Sequence, residues 1–486
     1  MNLRLLSIFV ALVVLAGFSA SEGQDPVGQQ EVAQPPLPWE IAAVQGFRNL
    51  GARSCSSTTC HGSVRADSTN DNRMRRDEYL VWLEEDPHQR AHAALSGEQT
   101  ESIFRNLGIS PDDQRYRQVM QKCIACHGMP VELSSTDSSG QQIVYEGVSC
   151  ETCHGPAEKW LKTHYRTDFV GLTGVEKASQ GLFNTNDAHQ RARLCVACHV
   201  GDQEREVNHD WIAAGHPALK FELTAYLSMM PGHWKETRDR ENAHNPAEHE
   251  LELWLAGQQV AADASLAQLA RRASAAATGQ DGAIWPEFAD VDCYSCHHDL
   301  GAPLSWRQKR GFGVVQQRTE VQRITLPASE WYLFMPSRLA ASSEDAAAVE
   351  FERAWQELRG KMAAEVIPDD REIAELADAT RQRLDNWLSG RASTADRKEM
   401  VDMIGHSDNS ELVSNWDRAV QAYLALQVLS GDRGKEKALR QIRAMLAFPV
   451  SAGRQFDSPR KFRGVIEDIP KLILEFQEQL EGKQEN

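Results

Sequence analysis

The chain has 486 residues, 41% hydrophobic and 25% charged, a size and balance suited to two or three folded domains rather than a disordered tail. With 69 acidic against 52 basic side chains the net charge is −17, which argues against a partner held through nucleic-acid phosphates and favours basic or neutral protein partners. A mean hydropathy of −0.48 excludes a polytopic membrane protein.

Residues 1–20 read as a signal peptide: Arg4 is the basic start, Leu5 to Phe18 form the apolar run, and Ser19, Ala20 and Ser21 are small enough for cleavage. The run falls short of the roughly 20 residues a membrane span needs, so the expectation is a periplasmic or otherwise exported protein with no stable span after cleavage. Residues 21–45 are rich in Gln and Pro, as in EGQDPVGQQEVAQPPLPW from Glu22 to Trp39, and read as a flexible linker.

Export would ordinarily make ten cysteines read as disulfides. Their spacing points elsewhere. They fall as Cys55/Cys60, Cys123/Cys126, Cys150/Cys153, Cys195/Cys198 and Cys293/Cys296, and the second of each pair is followed at once by a histidine: His61, His127, His154, His199 and His297. This is the covalent haem attachment pattern C-x-x-C-H four times, with one widened form, CSSTTCH. Two nearby thiols add to the two vinyl groups on one edge of a porphyrin, and the adjacent imidazole then reaches the iron from the proximal side. A redox dithiol or half of a zinc site would explain a lone C-x-x-C but not five following histidines. The cofactor expected is therefore five covalent haems c. Cys126 and Cys150 are too close in sequence for a separate small domain around each haem, so those two should be neighbours, and the macrocycles should form much of the core with little regular sheet.

Eleven further histidines are available as distal ligands. In DPHQRAH, Asp86 can cap a helix and Pro87 can occupy its first position, so His88 projects from the first turn; His92, at i+4 on the same face, either replaces it or hydrogen-bonds nearby. His164 follows His154 closely enough to reach a neighbouring haem. His209 and His216, in NHDWIAAGHPALKFEL, are seven residues apart, two turns if the segment is helical, with Pro217 then opening a further helix through Leu223 and Tyr226. His233, in MPGHW, and His298, beside His297, rank behind these. His189, His244, His249 and His406 read as surface or supporting groups.

The strings GVSCETCHGP (Gly147 to Pro156), DPH (Asp86 to His88), CVACHVGD (Cys195 to Asp202) and AAGHP (Ala213 to Pro217) resemble the multihaem cytochrome family typified by the nitrifiers' tetrahaem cytochrome c five-five-four, over about residues 50–300. The resemblance implies a mostly helical periplasmic electron carrier and favours His88, His164, His209 and His216 as iron ligands. Five motifs rather than four, the widened first motif and a C-terminal half without cysteine depart from the tetrahaem pattern.

After His298 the chain reads as an irregular connector over 301–340, then as a helical domain over 341–486. Helices are expected from a Ser343 cap through Leu358 to Gly360, from Ile373 to Leu388 ending at Gly390, from Trp416 to Leu429 ending at Gly431, from Ala438 to Leu446 and from Val465 to Leu480. Ala419, Ala422, Tyr423 and Leu426 share one face of the third. The fold expected is mainly α: a pentahaem cytochrome domain over 46–300 with little regular sheet, then a C-terminal helical bundle. The function expected is electron transfer to or from a redox partner protein that presents a basic patch. The competing expectation is an oxidoreductase with one open-site haem acting on a small nitrogen or sulfur compound, for which the sequence places no catalytic residues.

Overall fold

The computed structural model describes residues 35–67, 74–133, 142–234, 246–293, 326–389, 391, 400, 416–430 and 437–446. The expected signal peptide, Cys296, His297, His298, His244, His406, the expected connector up to 325 and the helix expected over Val465–Leu480 lie outside these residues. The chain divides into two units, Met1–Pro36 and Leu37–Asn486, and every helix and strand among the described residues belongs to the second.

The first helix, α1 (Pro38–Gln45), starts where local chemistry allows: Pro38 needs no amide partner at the first helical position, the Glu40 carboxylate accepts the Leu37 amide at 2.6 Å, and Gly46 closes the helix at φ 66°. Leu37 and Ile41, four residues apart on one face, bury against Phe183, Leu194 and Ala197. This corrects the linker expected over 21–45: from Leu37 onward the segment is folded, held by two apolar side chains that the surrounding Gln and Pro obscured.

Short helices follow: α2 (Glu78–Glu84), α3 (Ala91–Ala94), α4 (Glu98–Asn106) and α5 (Gln114–His127). A two-stranded antiparallel hairpin, β1 (Met129–Leu133) and β2 (Gln142–Glu146), pairs Met129 with Glu146 and Leu133 with Gln142. It leads into α6 (Cys150–His154), then α7 (Thr167–Val170), α8 (Gly174–Ser179), α9 (Ala188–His199), α10 (His209–Ala214) and α11 (Leu223–Met229). Apolar packing among these elements comes in small clusters, such as Ala157, Trp160 and Phe169.

The largest core lies elsewhere. Helix α12 (Pro246–Ala277), 32 residues long, is buried on several faces, with Trp254 and Ala262 at 0% exposure. One side packs on α9 and α11 through Ala188, Ala192, Val196 and Leu223; the other meets α13 (Phe334–Ala341), α14 (Ala346–Ala364), α15 (Asp370–Leu388), α16 (Trp416–Ser430) and α17 (Lys437–Leu446). Leu266, Met335, Phe351, Leu358 and Leu384 fill the space between them. Its buried amides are satisfied: Gln268 Nε2 donates to the Val200 carbonyl at 2.8 Å and Gln259 Nε2 to Asp385 at 3.0 Å.

Among the described residues the molecule is mainly α with little regular sheet, and residues 334–446 contribute a helical bundle. Two boundaries differ from expectation. Helix α13 takes Phe334–Ala341 out of the irregular connector, because Phe334, Met335 and Leu339 bury in the bundle core. Helix α14 is capped by Asp345, whose carboxylate accepts the Ala347 amide at 2.9 Å, rather than by Ser343, and it runs through Gly360 to Ala364. A Cβ at Gly360 would meet nothing within 4 Å, so no contact forces that glycine to end the helix. The remaining bundle helices follow the expected spans within about three residues, and Ala419, Ala422, Tyr423 and Leu426 are all buried.

Candidate cofactor site

Three of the cysteine–histidine motifs are helical. Cys123, Cys126 and His127 finish α5, Cys150, Cys153 and His154 constitute α6, and Cys195, Cys198 and His199 finish α9. Spacing of three residues puts both thiols of a pair on one helix face, and the histidine completes the last turn. Helices α5 and α9 are started by Asp113 and Asp187, whose carboxylates accept the Arg115 and Gln190 amides. The widened motif is not α-helical: Cys55 ends a 3₁₀ turn over Ala52–Cys55, and Cys60 and His61 lie in the turn beyond. Cys293 lies within the described residues and is exposed.

The motifs are neighbours. Cys55 and Cys150 lie close enough for each thiol to act on the other, as do Cys126 and Cys198. The thiol contact from Cys150 lowers the pKa of Cys55 to about 7, whereas burial pushes Cys123 up to about 11 and Cys195 up to about 12. The first and third motifs are also tied through the backbone. Glu151, 1% exposed, accepts the amides of Leu50 at 2.8 Å, Gly51 at 2.7 Å and Ala157 at 2.6 Å, while Glu146 accepts the Ala52 amide at 2.9 Å. Sequence reading missed Glu151; an acid between the two cysteines of CETCH was the only signal it left. The second and third motifs are joined by the β1–β2 hairpin, with Ser149 Oγ 3.6 Å from Met129 Sδ.

Each of three motif histidines faces an imidazole from a distant segment. Ring centres of His61 and His164 are 6.2 Å apart with planes at 18°, those of His88 and His199 6.1 Å apart at 72°, and those of His127 and His216 6.4 Å apart at 86°. Two imidazoles on opposite sides of one iron, each bonded at about 2 Å, have their centres about 6 Å apart. In every pair at least one Nδ1–H is already engaged: His61 with Glu78 at 3.1 Å, His88 with Asp86 at 3.0 Å, His127 with the Ala91 carbonyl at 3.2 Å, His164 with the Leu161 carbonyl at 3.0 Å and His216 with the Pro217 carbonyl at 2.8 Å. Those bonds fix the tautomer and leave Nε2 for a metal.

His154 has His233 close enough to act on it electrostatically; burial, then His233, lowers its pKa to about 4. Burial does the same to His199. From sequence His233, in MPGHW, ranks below His164 and His88. His209 opens α10, donates its amide to Glu287 at 2.8 Å and sets its ring edge-on to Phe288 at 5.7 Å, a few residues before Cys293. His92 stacks on Tyr145 at 5.6 Å, and His249 pairs with Glu252 at 3.2 Å. The expectation that His209 and His216 are two turns apart on one helix is corrected: Gly215, at φ 121°, ends α10, so His216 lies beyond it, and Pro217 opens no helix, because Glu222 caps α11 at Leu223.

Two glycines hold these approaches. A Cβ on Gly147 would fall 2.3 Å from the Gln89 carbonyl and 2.5 Å from that of His88, beside the bond from the Val148 amide to the His88 carbonyl. Gly155, at φ 87°, passes so close to Gly181 that a Cβ would lie 2.0 Å from its carbonyl oxygen.

The donor set fits a porphyrin iron ligated on both sides. Among the described residues, each motif thiol and imidazole keeps part of its surface accessible even where burial shifts its pKa. Arg191 Nη1 is buried with no partner in a side chain that acts electrostatically on Cys195, as a propionate-binding guanidinium would be. Among the described residues no group of three or more His, Cys, Asp or Glu side chains could hold a metal ion by itself, and no helix is long and apolar enough to cross a membrane.

Paired thiols with imidazoles two by two are the donor set that a covalently attached haem would require. Residues 54–155 match the family model described as cytochrome c554 and c-prime, which supports a c-type cytochrome of the multihaem kind, with covalently bound haem and a role in electron transfer. No curated protein matches the chain, and no solved structure does.

Proposed function

We propose that this protein is an exported cytochrome carrying five covalent haems c, held by the thiols of Cys55/Cys60, Cys123/Cys126, Cys150/Cys153, Cys195/Cys198 and Cys293/Cys296, and that it relays electrons for a redox partner protein. The proximal ligands are His61, His127, His154, His199 and His297. Their distal counterparts are His164, His216, His233, His88 and His209, in that order. Residues 46–300 carry the cofactors, and the helices of 341–486 buttress them against α12.

One observation carries the reading: three motif histidines each face a second imidazole at the spacing of two ligands on one iron. The bound iron supplies one-electron cycling between ferric and ferrous states. The residues of this chain orient Nε2 through Nδ1 hydrogen bonds, keep both ligand positions filled and hold adjacent motifs in contact.

The test is the purified full-length protein from a host that matures c-type cytochromes. Its intact mass should exceed that of the polypeptide by five haems, and the oxidised form should give only low-spin ferric signals in low-temperature electron paramagnetic resonance. A lower haem count overturns the stoichiometry. A high-spin signal that shifts on adding nitrite or hydroxylamine replaces the carrier with an enzyme.

A further inference from the structure

The Nδ1 partners of the iron-facing histidines are of two kinds. His127, His164 and His216 donate to neutral backbone carbonyls, whereas His61 donates to the Glu78 carboxylate at 3.1 Å and His88 to the Asp86 carboxylate at 3.0 Å. Both carboxylates are built in. Asp86 is 2% exposed and also accepts the His88 amide at 2.9 Å. Glu78, at the start of α2, also accepts the Arg75 amide at 2.6 Å. A fixed anion behind a ligand imidazole makes it a stronger electron donor and favours the ferric state, and the poorly hydrated surroundings of Asp86 strengthen the effect.

We propose that Glu78 and Asp86 are positioning residues that depress the reduction potentials of the sites ligated by His61/His164 and His88/His199, leaving the His127/His216 site, whose two ligands rest on carbonyls, higher than both. The potentials along the chain of motifs are thereby set unequal by two side chains, with a downhill direction toward His127 and His216. This rests on the imidazole pairs being iron ligands.

The experiment uses the full-length haem-loaded protein at one pH, with Glu78→Gln and Asp86→Asn. Each replacement keeps an oxygen that can accept the Nδ1–H, and the asparagine side chain can still cap the His88 amide, so the change is mainly of charge. Glu101→Gln, on the exposed face of α4, removes the same charge at the surface and serves as control. An optical redox titration should show one haem shifting toward the ferrous state by about tenfold in its equilibrium constant, about 59 mV for a one-electron couple, in each variant and none comparable in the control.

Unchanged potentials in both variants, with low-spin signals intact, overturn the inference while leaving the ligation standing. So does an equal shift of all haems that Glu101→Gln reproduces. Wild-type protein without low-spin signals overturns the ligation itself. If Glu78→Gln does not fold, Asp86→Asn alone decides.

Discussion

The His216 side chain is held by a ring nitrogen on the Pro217 carbonyl and by the imidazole of His127 opposite, while its amide donates to the Trp211 carbonyl at 2.9 Å whatever the side chain. His216→Ala should therefore leave the fold largely intact and open one iron, read as a single low-spin signal replaced by a high-spin one; no change of spin state would remove His216 from the ligand set. A second residue-scale expectation concerns Asp290, 2.5 Å from Arg272 and raised by burial to about pKa 6. Because the folded value lies above that of the unfolded chain, the stabilisation is complete below about pH 4 and is lost as pH rises to about 6, at a cost of roughly 1–3 kcal/mol. Urea unfolding across this window should show the decline in the wild type and a flatter profile in Asp290→Asn. The cysteine–histidine motifs stand out in the sequence because the attachment pattern they match is local, seven residues or fewer. Pairing was not legible, since the partner of His61 stands beyond the next two motifs, and His233 has its value from three-dimensional proximity to His154 alone.

At the scale of elements, caps and periodicity carried well where a helix is amphipathic. Asp86 before Pro87 and the apolar face of α16 are instances. They carried poorly where burial surrounds the helix. The sequence from Pro246 to Ala277 has no polar stripe to mark it, though its Ala, Leu and Glu content favours a helix throughout. Gly257 is where α12 meets α11: a Cβ there would stand 2.7 Å from Leu223 Cβ, so Gly257→Ala should cost about 1–3 kcal/mol by overpacking, despite the better helix propensity of alanine. Leu384→Ala on α15, wholly buried in the bundle core, should cost about 2–5 kcal/mol through the cavity it leaves. Thermal unfolding followed by far-ultraviolet dichroism measures both. A loss from Leu384→Ala without change in the haem spectrum would mark the bundle as a support rather than part of the redox centre.

For the whole molecule, the surplus of acidic side chains gives a direct kinetic expectation. Electron exchange with a small cationic redox protein should slow several-fold between about 0.01 M and 0.15 M ionic strength, as the screening length falls from about 30 Å to about 8 Å, and stopped-flow absorbance reads it. A rate indifferent to salt would remove charge as the docking force. The overall class, mainly α with little regular sheet, was legible in the sequence, but the β1–β2 hairpin was not; nor was the sharing of α12 between the cysteine-bearing region and the bundle, since a helix that belongs to two cores has no signature in either. The three facing imidazole pairs have one more consequence. Each clasps together stretches of chain about a hundred residues apart, and the spans interleave: the clasp of His61 closes only after those of His88 and His127 have begun. None can fasten as its own stretch is completed, so the lengthening chain holds its imidazoles open to the wrong mates until the partner segment, about a hundred residues on, is present. Maturation is thus a late, collective locking rather than a sequence of finished parts.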